Sequence, residues 1–378
     1  MTQLLLGLTF ILLSIATNVQ AEFSYLGRSA EASLMGDAYT AVADDENTLF
    51  YNPAALGRHS GVSLQFITPD FELPDVLDKN VKKMKFGLSG KFENFPKTAE
   101  GITERVLGIP VFFQVGGTPT IKMQHFAFSL FANNKTSMVL ENAIYPNLNI
   151  DYRYDRGFIM GYSHNIKGNS KSPSQFSVGA AIKHVNRNGL KGRYDLFGTE
   201  LLQIINNADG YKEIRRQLGY TGGDGWGFDV GAEQVFRMPG SLLVFGLSIL
   251  DVGDTKFKKD NANLRDIQPQ EMSVNLGTSY SMDFKIFDAT FSADYSNIID
   301  ARTPFASKIK LGTRVRLPLL SVYAGWNGGY ASYGLGFDFL FMNLKVGFYG
   351  TEIGSSFKEK ESERIVFALS LLNMHFDL

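Results

Sequence analysis

The chain has no cysteine in 378 residues, which excludes disulfide staples and thiolate metal sites. The five histidines, His59, His125, His164, His184 and His375, share no ligand spacing. No metal and no cofactor is therefore expected. Ser163 beside His164 is the nearest approach to a nucleophile with its base and has no supporting signature. Gly222-Gly223-Asp224-Gly225 lacks the Gly-Lys-Ser/Thr ending of a phosphate loop. No catalytic residue is assigned, and the chain reads as a protein that is not an enzyme. An excess of one charge is missing too. With 37 Lys and Arg against 38 Asp and Glu the net charge is -1, which makes no electrostatic case for a nucleic-acid partner. Beyond the N-terminus no run approaches the roughly 18 uncharged apolar residues of a membrane-crossing helix.

What is present begins with residues 1–21, which read as an export signal. Leu4 to Ala16 is an apolar core, and Val19-Gln20-Ala21 offers small residues for cleavage. The core is shorter than a comfortable membrane span. An exported chain with no helical anchor is periplasmic, secreted, or a barrel in the outer membrane.

The chain holds 31 Phe, 16 Tyr and 38 Gly, yet its mean hydropathy is only -0.07, as expected of a sheet with one apolar and one polar face. From Asn149 onward the alternation is regular. Ile309, Leu311, Thr313 and Val315 share one face, and Lys308, Lys310, Gly312, Arg314 and Arg316 the other. Phe287, Ala289, Phe291, Ala293 and Tyr295 alternate with Asp288, Thr290, Ser292, Asp294 and Ser296, and Tyr333, Leu335, Phe337 and Phe339 with Gly334, Gly336 and Asp338. A Lys or Arg facing lipid at mid-bilayer costs about 2 to 4 kcal/mol, so the charges belong inside and the aromatics outside. A soluble sandwich shows the same periodicity with the faces exchanged. Strand length and loop pattern separate the two.

The strands run about 9 to 13 residues, right for a tilted bilayer crossing. Short turns at 167–173, 237–240, 283–285, 317–318 and 342–343 alternate with longer connections at 188–223, 252–269, 297–305 and 351–362. The short set is assigned to the periplasm and the long set to the outside. About eleven strands follow Asn149. Three precede it, with 61–68, 124–133 and 135–143 as the leading candidates and 109–115 competing for the second place. The expected fold is an all-β, up-and-down antiparallel transmembrane barrel of about 14 strands over residues 58–378. Helical spacing marks external insertions near 73–107 and 194–218. These read equally as a cap collecting a hydrophobic ligand and as decoration packed on the rim.

Residues 22–57 stand apart from the strands. Met35, Ala38, Ala41 and Val42 recur at helical spacing with Asp37, Asp44 and Asp45 off that stripe, predicting a short amphipathic helix. Pro53 pushes Asn52 out of the α region and starts a new turn that Gly57 ends. By itself this also fits a surface helix pair of a soluble domain. The run Gly27-Arg28-Ser29-Ala30-Glu31-Ala32-Ser33-Leu34-Met35-Gly36-Asp37, continuing to Tyr51-Asn52-Pro53-Ala54-Ala55-Leu56, resembles the N-terminus of the FadL-like outer-membrane barrels. That family includes long-chain fatty-acid transporters and PorV-type proteins of secretion systems. Ala55 stands where many of its members carry Gly. The resemblance implies a plug inside the lumen, with Gly27, Arg28, Met35, Gly36, Asn52, Pro53 and Ala54 as plug and gating residues.

Two functions stay open at this stage. One is a plug-gated channel for hydrophobic molecules such as fatty acids; the other is a barrel that holds a secretion-system or surface protein and transports nothing. Lumen-facing Asp288, Asp294, Lys308, Lys310, Arg314, Arg316 and Asp338 read either as a cross-strand ion-pair lattice or as a cationic lining for a carboxylate. The partners expected are outer-membrane lipid and one of these ligands, in the outer membrane of a Gram-negative cell. The loop parity predicts that protease added to intact cells cuts within 351–362 and 188–223; cleavage confined to 167–173 would invert the topology.

Overall fold

A computed structural model describes residues 25–75, 99–195, 215–260, 266–339 and 342–376. The signal reading of 1–21 and most of both helical insertions lie outside these residues. The strands are β1 (Val62–Gln65), β2 (Pro69–Pro74), β3 (Val111–Gly117), β4 (Thr120–Met123), β5 (Phe126–Glu141), β6 (Asn147–Lys167), β7 (Ser174–Asp195), β8 (Thr221–Met238) and β9 (Ser241–Leu250). They continue as β10 (Lys258–Lys259), β11 (Ser273–Asp283), β12 (Asp288–Tyr295), β13 (Ile309–Arg316), β14 (Leu320–Asn327), β15 (Tyr330–Phe339), β16 (Met342–Glu352), β17 (Glu361–Leu371) and β18 (Met374–Phe376). Two short helices are α1 (Ala30–Leu34) and α2 (Ala99–Val106).

Four strands are interrupted. β1 with β2, β3 with β4, β9 with β10, and β17 with β18 each form one stave, so the segments make a closed antiparallel barrel of 14 strands. Each stave pairs with its sequence neighbour, and the last closes on the first through Val62↔Phe376 and Val366↔Glu72. Closure removes every edge, which lipid would otherwise leave unpaired. The turn between β14 and β15 is Gly328-Gly329, with φ of 53° and 128°, a conformation that suits glycine at both positions of a two-residue hairpin.

The register agrees with the alternation. Leu311 is 47% and Phe291 47% exposed, whereas Lys310 is 8% and Arg314 6%, so the apolar side chains face outward and the charges inward. Three details differ from the sequence reading. Residues 124–133 and 135–143 are one strand, β5, because the Asn133-Asn134 pair continues the ladder instead of turning; the second stave is β3 with β4, starting near the competing 109–115. Phe305–Lys308 is a 3-10 turn ahead of β13 rather than its first residues. Met342 and Asn343 open β16 instead of forming a turn.

The wall is also uneven. β12, β13 and β14 have 8 residues each, while β6 has 21 and β7 has 22. At about 3.4 Å per residue β7 is roughly 75 Å long, far more than a bilayer needs. Its upper part stands outside the membrane. There Leu140, Leu190, Tyr194 and Leu218 form an apolar cluster with Val106, Leu107, Leu148 and Ile150. On β6 and β7 these residues alternate with Arg153, Asp155 and Arg187, which are buried on the inner side. The described ends of both helical insertions therefore dress the outer face of the raised wall. The apolar side chains of those ends, Val106, Leu107 and Leu218, are used on that wall; the rest of both insertions lies outside the described residues.

Because Leu311 faces lipid and Lys310 the lumen, Leu311→Arg is expected to destabilise the barrel by about 2 to 4 kcal/mol and Lys310→Ala by far less. Folding into lipid vesicles measures both, and equal costs would mean that the faces are misassigned.

Candidate functional site

Residues 25–58 lie inside the barrel. Ser29 caps α1, its Oγ accepting from Ala32 N–H at 3.3 Å. The helix stops after five residues because Gly36 and Asp37 take positive φ, 63° and 59°. The amphipathic helix expected from Met35 to Val42 does not form. Met35, Ala38, Ala41 and Val42 are buried, and so are Glu31 and Asp37, while Asp44 is open to the lumen; with wall on nearly every side, apolar and charged residues alike are buried and no amphipathic face is needed. The turn reading holds. Asn52 is extended, with φ of -158°, and its Oδ1 accepts from Ala54 N–H at 3.0 Å at the head of the 3-10 turn Pro53–Arg58.

The wall is cut back to receive this segment. A Cβ at Gly231 would lie 2.1 Å from Asn52 Oδ1, one at Gly179 2.5 Å from Ala54 N, and one at Gly246 2.9 Å from Thr40 O. Across the lumen a Cβ at Gly325 would lie 2.2 Å from Gly36 N, and one at Gly312 2.6 Å from Met35 O. Any side chain at these positions would displace the segment.

Charge holds it as well. Arg28 Nη2 meets Asp37 at 2.6 Å, and its guanidinium stacks 4.6 Å over the Tyr349 ring. Lys310 lies 3.6 Å from Asp37. Glu31 pairs with Arg314 and, at 2.9 Å, with Lys345. Asp44 meets Arg314 at 3.3 Å and Arg316 at 3.6 Å. Burial opposes ionisation of Glu31, but Lys345 and Arg314 outweigh it and hold the carboxyl at about 2. Asp37 is likewise kept below its usual value, burial being overcome by Arg28 and Lys310. Asp45 goes the other way. Burial, reinforced by Glu46 and Glu31, raises it to about 7, against Lys345 and the Ser29 hydroxyl.

The cross-strand lattice is thus mostly replaced by wall-to-segment pairs. Asp294 lies opposite Lys310 in the ladder, yet its carboxylate accepts from Tyr39 N–H at 2.9 Å and Thr40 N–H at 2.8 Å. Of the predicted inward set, Arg316 and Asp288 approach each other between strands, at 3.9 Å; on the β6–β8 side Arg187 meets Asp155 and Lys183 meets Asp229 across the ladder, each at 2.7 Å. Lys308 donates to Ile298 O at 3.2 Å, and Asp338 accepts from Ser321 at 3.2 Å. Sequence reasoning missed Glu31 and Lys345. The signal for Lys345 was available, since it alternates with Leu344 and Val346 on β16.

One sector of the inner wall is apolar. Ala127, Phe131, Ile159, Ala181 and Val185 of β5 to β7 are buried against Leu49 and Phe50, with the Phe50 and Phe131 rings edge to face at 5.5 Å. At the short-turn end a cavity of about 760 Å³ lies beneath the segment, lined by Asp44, Lys122, Asp288, Arg316 and Asp338 among others. At the opposite end the space beside Arg28 and Asp37 is only about 70 Å³.

A closed 14-strand barrel with lipid-facing aromatics and inward charges is an outer-membrane β-barrel. Among solved structures it is similar to the CymD monoaromatic hydrocarbon channel, at 13% identity and a TM-score of 0.49 over 96% of this chain and 100% of that one. It is also similar to the P. putida toluene transporter TodX, at 12% identity and 0.45 over 93% and 99%. The Ralstonia pickettii toluene transporter TbuX matches at 12% and 0.44 over 92% and 99%. These are FadL-family 14-strand barrels, the group that the run Gly27 to Leu56 resembles. No family model and no curated protein matches the chain.

Among the shifted carboxyls, Glu31 and Asp45 bound the pH range for docking of the segment, with Asp294, raised to about 6 by burial, acting inside it. Glu31, lowered from 4.5 to about 2, contributes above 4.5 and stops as pH falls through 2. Asp45, raised from 3.8 to about 7, contributes fully below 3.8 and stops as pH rises through 7. Hydrogen-exchange protection of residues 25–58, corrected for intrinsic rate, should fall as pH rises through neutrality, and Asp45→Asn should flatten that slope. An unchanged slope in the variant would reject the assignment.

Proposed function

We propose that the chain is an outer-membrane channel for small hydrophobic molecules, closed in this state by its N-terminal segment acting as a plug. The observation that carries this reading is the apolar stripe Ala127, Phe131, Ile159, Ala181 and Val185, which lies on the inner wall and is covered by Leu49 and Phe50. Withdrawal of the segment uncovers this apolar patch, which Ser129 and the Lys183–Asp229 pair interrupt, in a lumen that is otherwise charged. Glycine along the docking track supports the same reading. A barrel meant to be solid fills its lumen with its own side chains, whereas this one omits them where a separable element sits.

The gating roles follow from position. Arg28 on Tyr349 and Asp37 on Lys310 fix the upper end of the segment, and Asn52 with Pro53 and Ala54 fixes the lower end on Gly179 and Gly231. Met35 and Gly36 seat the middle against Gly312 and Gly325. Gly27 packs against the Phe50 ring and keeps Phe50 aimed at Phe131. A long-chain fatty acid is the ligand that the family resemblance suggests. The similar structures are channels and transporters named for aromatic hydrocarbons, which at these TM-scores adds no weight.

Deleting Phe23 to Leu56 is expected to raise conductance in planar bilayers without unfolding the barrel, and to admit toluene into proteoliposomes. Phe131→Asp in the deleted background should slow toluene while leaving ion conductance in place. A barrel that stays closed after the deletion would favour the partner-holding reading instead.

A further inference from the structure

Beside the 3-10 turn Pro53–Arg58, the short-turn end of the lumen holds a second cavity of about 460 Å³. Its polar lining includes Arg58, His59, Lys122, Lys171 and Arg237, with Asp44 as its acid; Ala43, Ala55 and Leu242 supply an apolar side. Asp44 is already engaged by Arg314 and Arg316. Two of the cations are held by neutral oxygens. Lys122 Nζ donates to the backbone carbonyls of Asp44 and, at 3.1 Å, Asp45. Arg237 donates to Ser172 O at 3.2 Å and to Gln175 Oε1 at 2.8 Å. Such bonds satisfy the N–H groups, while Asp44, Asp45 and Glu46 offset part of the charge of Lys122 and Glu233 part of that of Arg237. Arg58 meets a buried carboxylate, Glu233, at 3.0 Å. A space roughly 10 Å across with this lining and low-dielectric walls concentrates positive potential and draws in anions.

We propose that this cavity is an oxyanion site reached from the periplasmic end, which takes a phosphate group, either free or on a lipid. Ser170 and Lys171 of the β6–β7 turn line its mouth, and the apolar side accommodates the carbon of a phosphate ester. The site has a consequence for the segment above it, and this consequence rests on the channel reading. Arg58 belongs to the segment and holds Ala43 O at 2.8 Å, while Lys122 of β4 holds residues 44 and 45. A bound oxyanion competes with Glu233 for Arg58 and with the carbonyls for Lys122, so occupancy loosens the lower half of the segment.

The test separates binding from gating. The full-length protein in neutral detergent is titrated with inorganic phosphate, followed by phosphorus NMR line width, with chloride at matched ionic strength as control. Saturable binding is expected, weakened roughly tenfold in Lys171→Gln and in Arg237→Gln, the loss of one charged hydrogen bond. Lys171 is in an exposed turn, so its variant decides if Arg237→Gln fails to fold. Absence of saturation, or equal affinity in Lys171→Gln, overturns the site whatever the plug deletion shows. Planar bilayers with and without phosphatidylglycerol, each with and without phosphate on the short-turn side, then identify the source by which addition raises conductance. Binding with unchanged conductance in every arm overturns the coupling to the segment.

Discussion

Everything inside this barrel depends on wall cations finding their counter-charges on another part of the chain. Arg314, Lys345 and Lys310 are buried on the inner wall, and Glu31, Asp44 and Asp37 of the N-terminal segment meet them there. Buried charges left without partners are costly, by several kcal/mol each. The segment and the wall therefore specify each other. The barrel positions the segment, and the segment neutralises the barrel.

This arrangement differs from a lumen packed with apolar side chains. Ion pairs and short hydrogen bonds set orientation and register closely, and water or another charge can replace them when the segment shifts. Apolar packing joins the charges: Leu49 and Phe50 rest in the β5–β7 sector with Phe131 and Ile159, Leu34 lies against Gly334 and Gly347, and Ala41 packs with Val235 and Val244. The β12–β16 side adds most of the ion pairs to the segment, and on the proposed channel reading the β5–β7 side is the surface that its withdrawal would expose.

The uneven wall follows from the same division between lipid, water and lumen. Where β6 and β7 rise above the bilayer, their outward residues can no longer be covered by lipid tails. The ends of the insertions at 99–107 and 215–220 cover Leu148, Ile150 and Leu190 instead.

How much of this was legible beforehand depends on the range of the interaction. Strand alternation is a local property with a period of two residues, so the inward set Lys310, Arg314, Asp294 and Asp338 and the outward set Leu311 and Phe291 could be read from the chain, as could loop parity and the turn at Asn52-Pro53. The strand count came out at 14 although two of its members were drawn wrongly, because Asn133-Asn134 reads as a turn by composition and only the ladder with β3 and β6 shows that it is not. Which charge meets which was not legible. Arg314 and Glu31 are separated by 283 positions, and alternation says that Arg314 points inward without saying what waits there. The sequence by itself determined the faces, because each residue's side is set by its immediate neighbours. Tertiary structure alone decided the partners, since only closure of the barrel brings residues 25–58 against opposite walls at once.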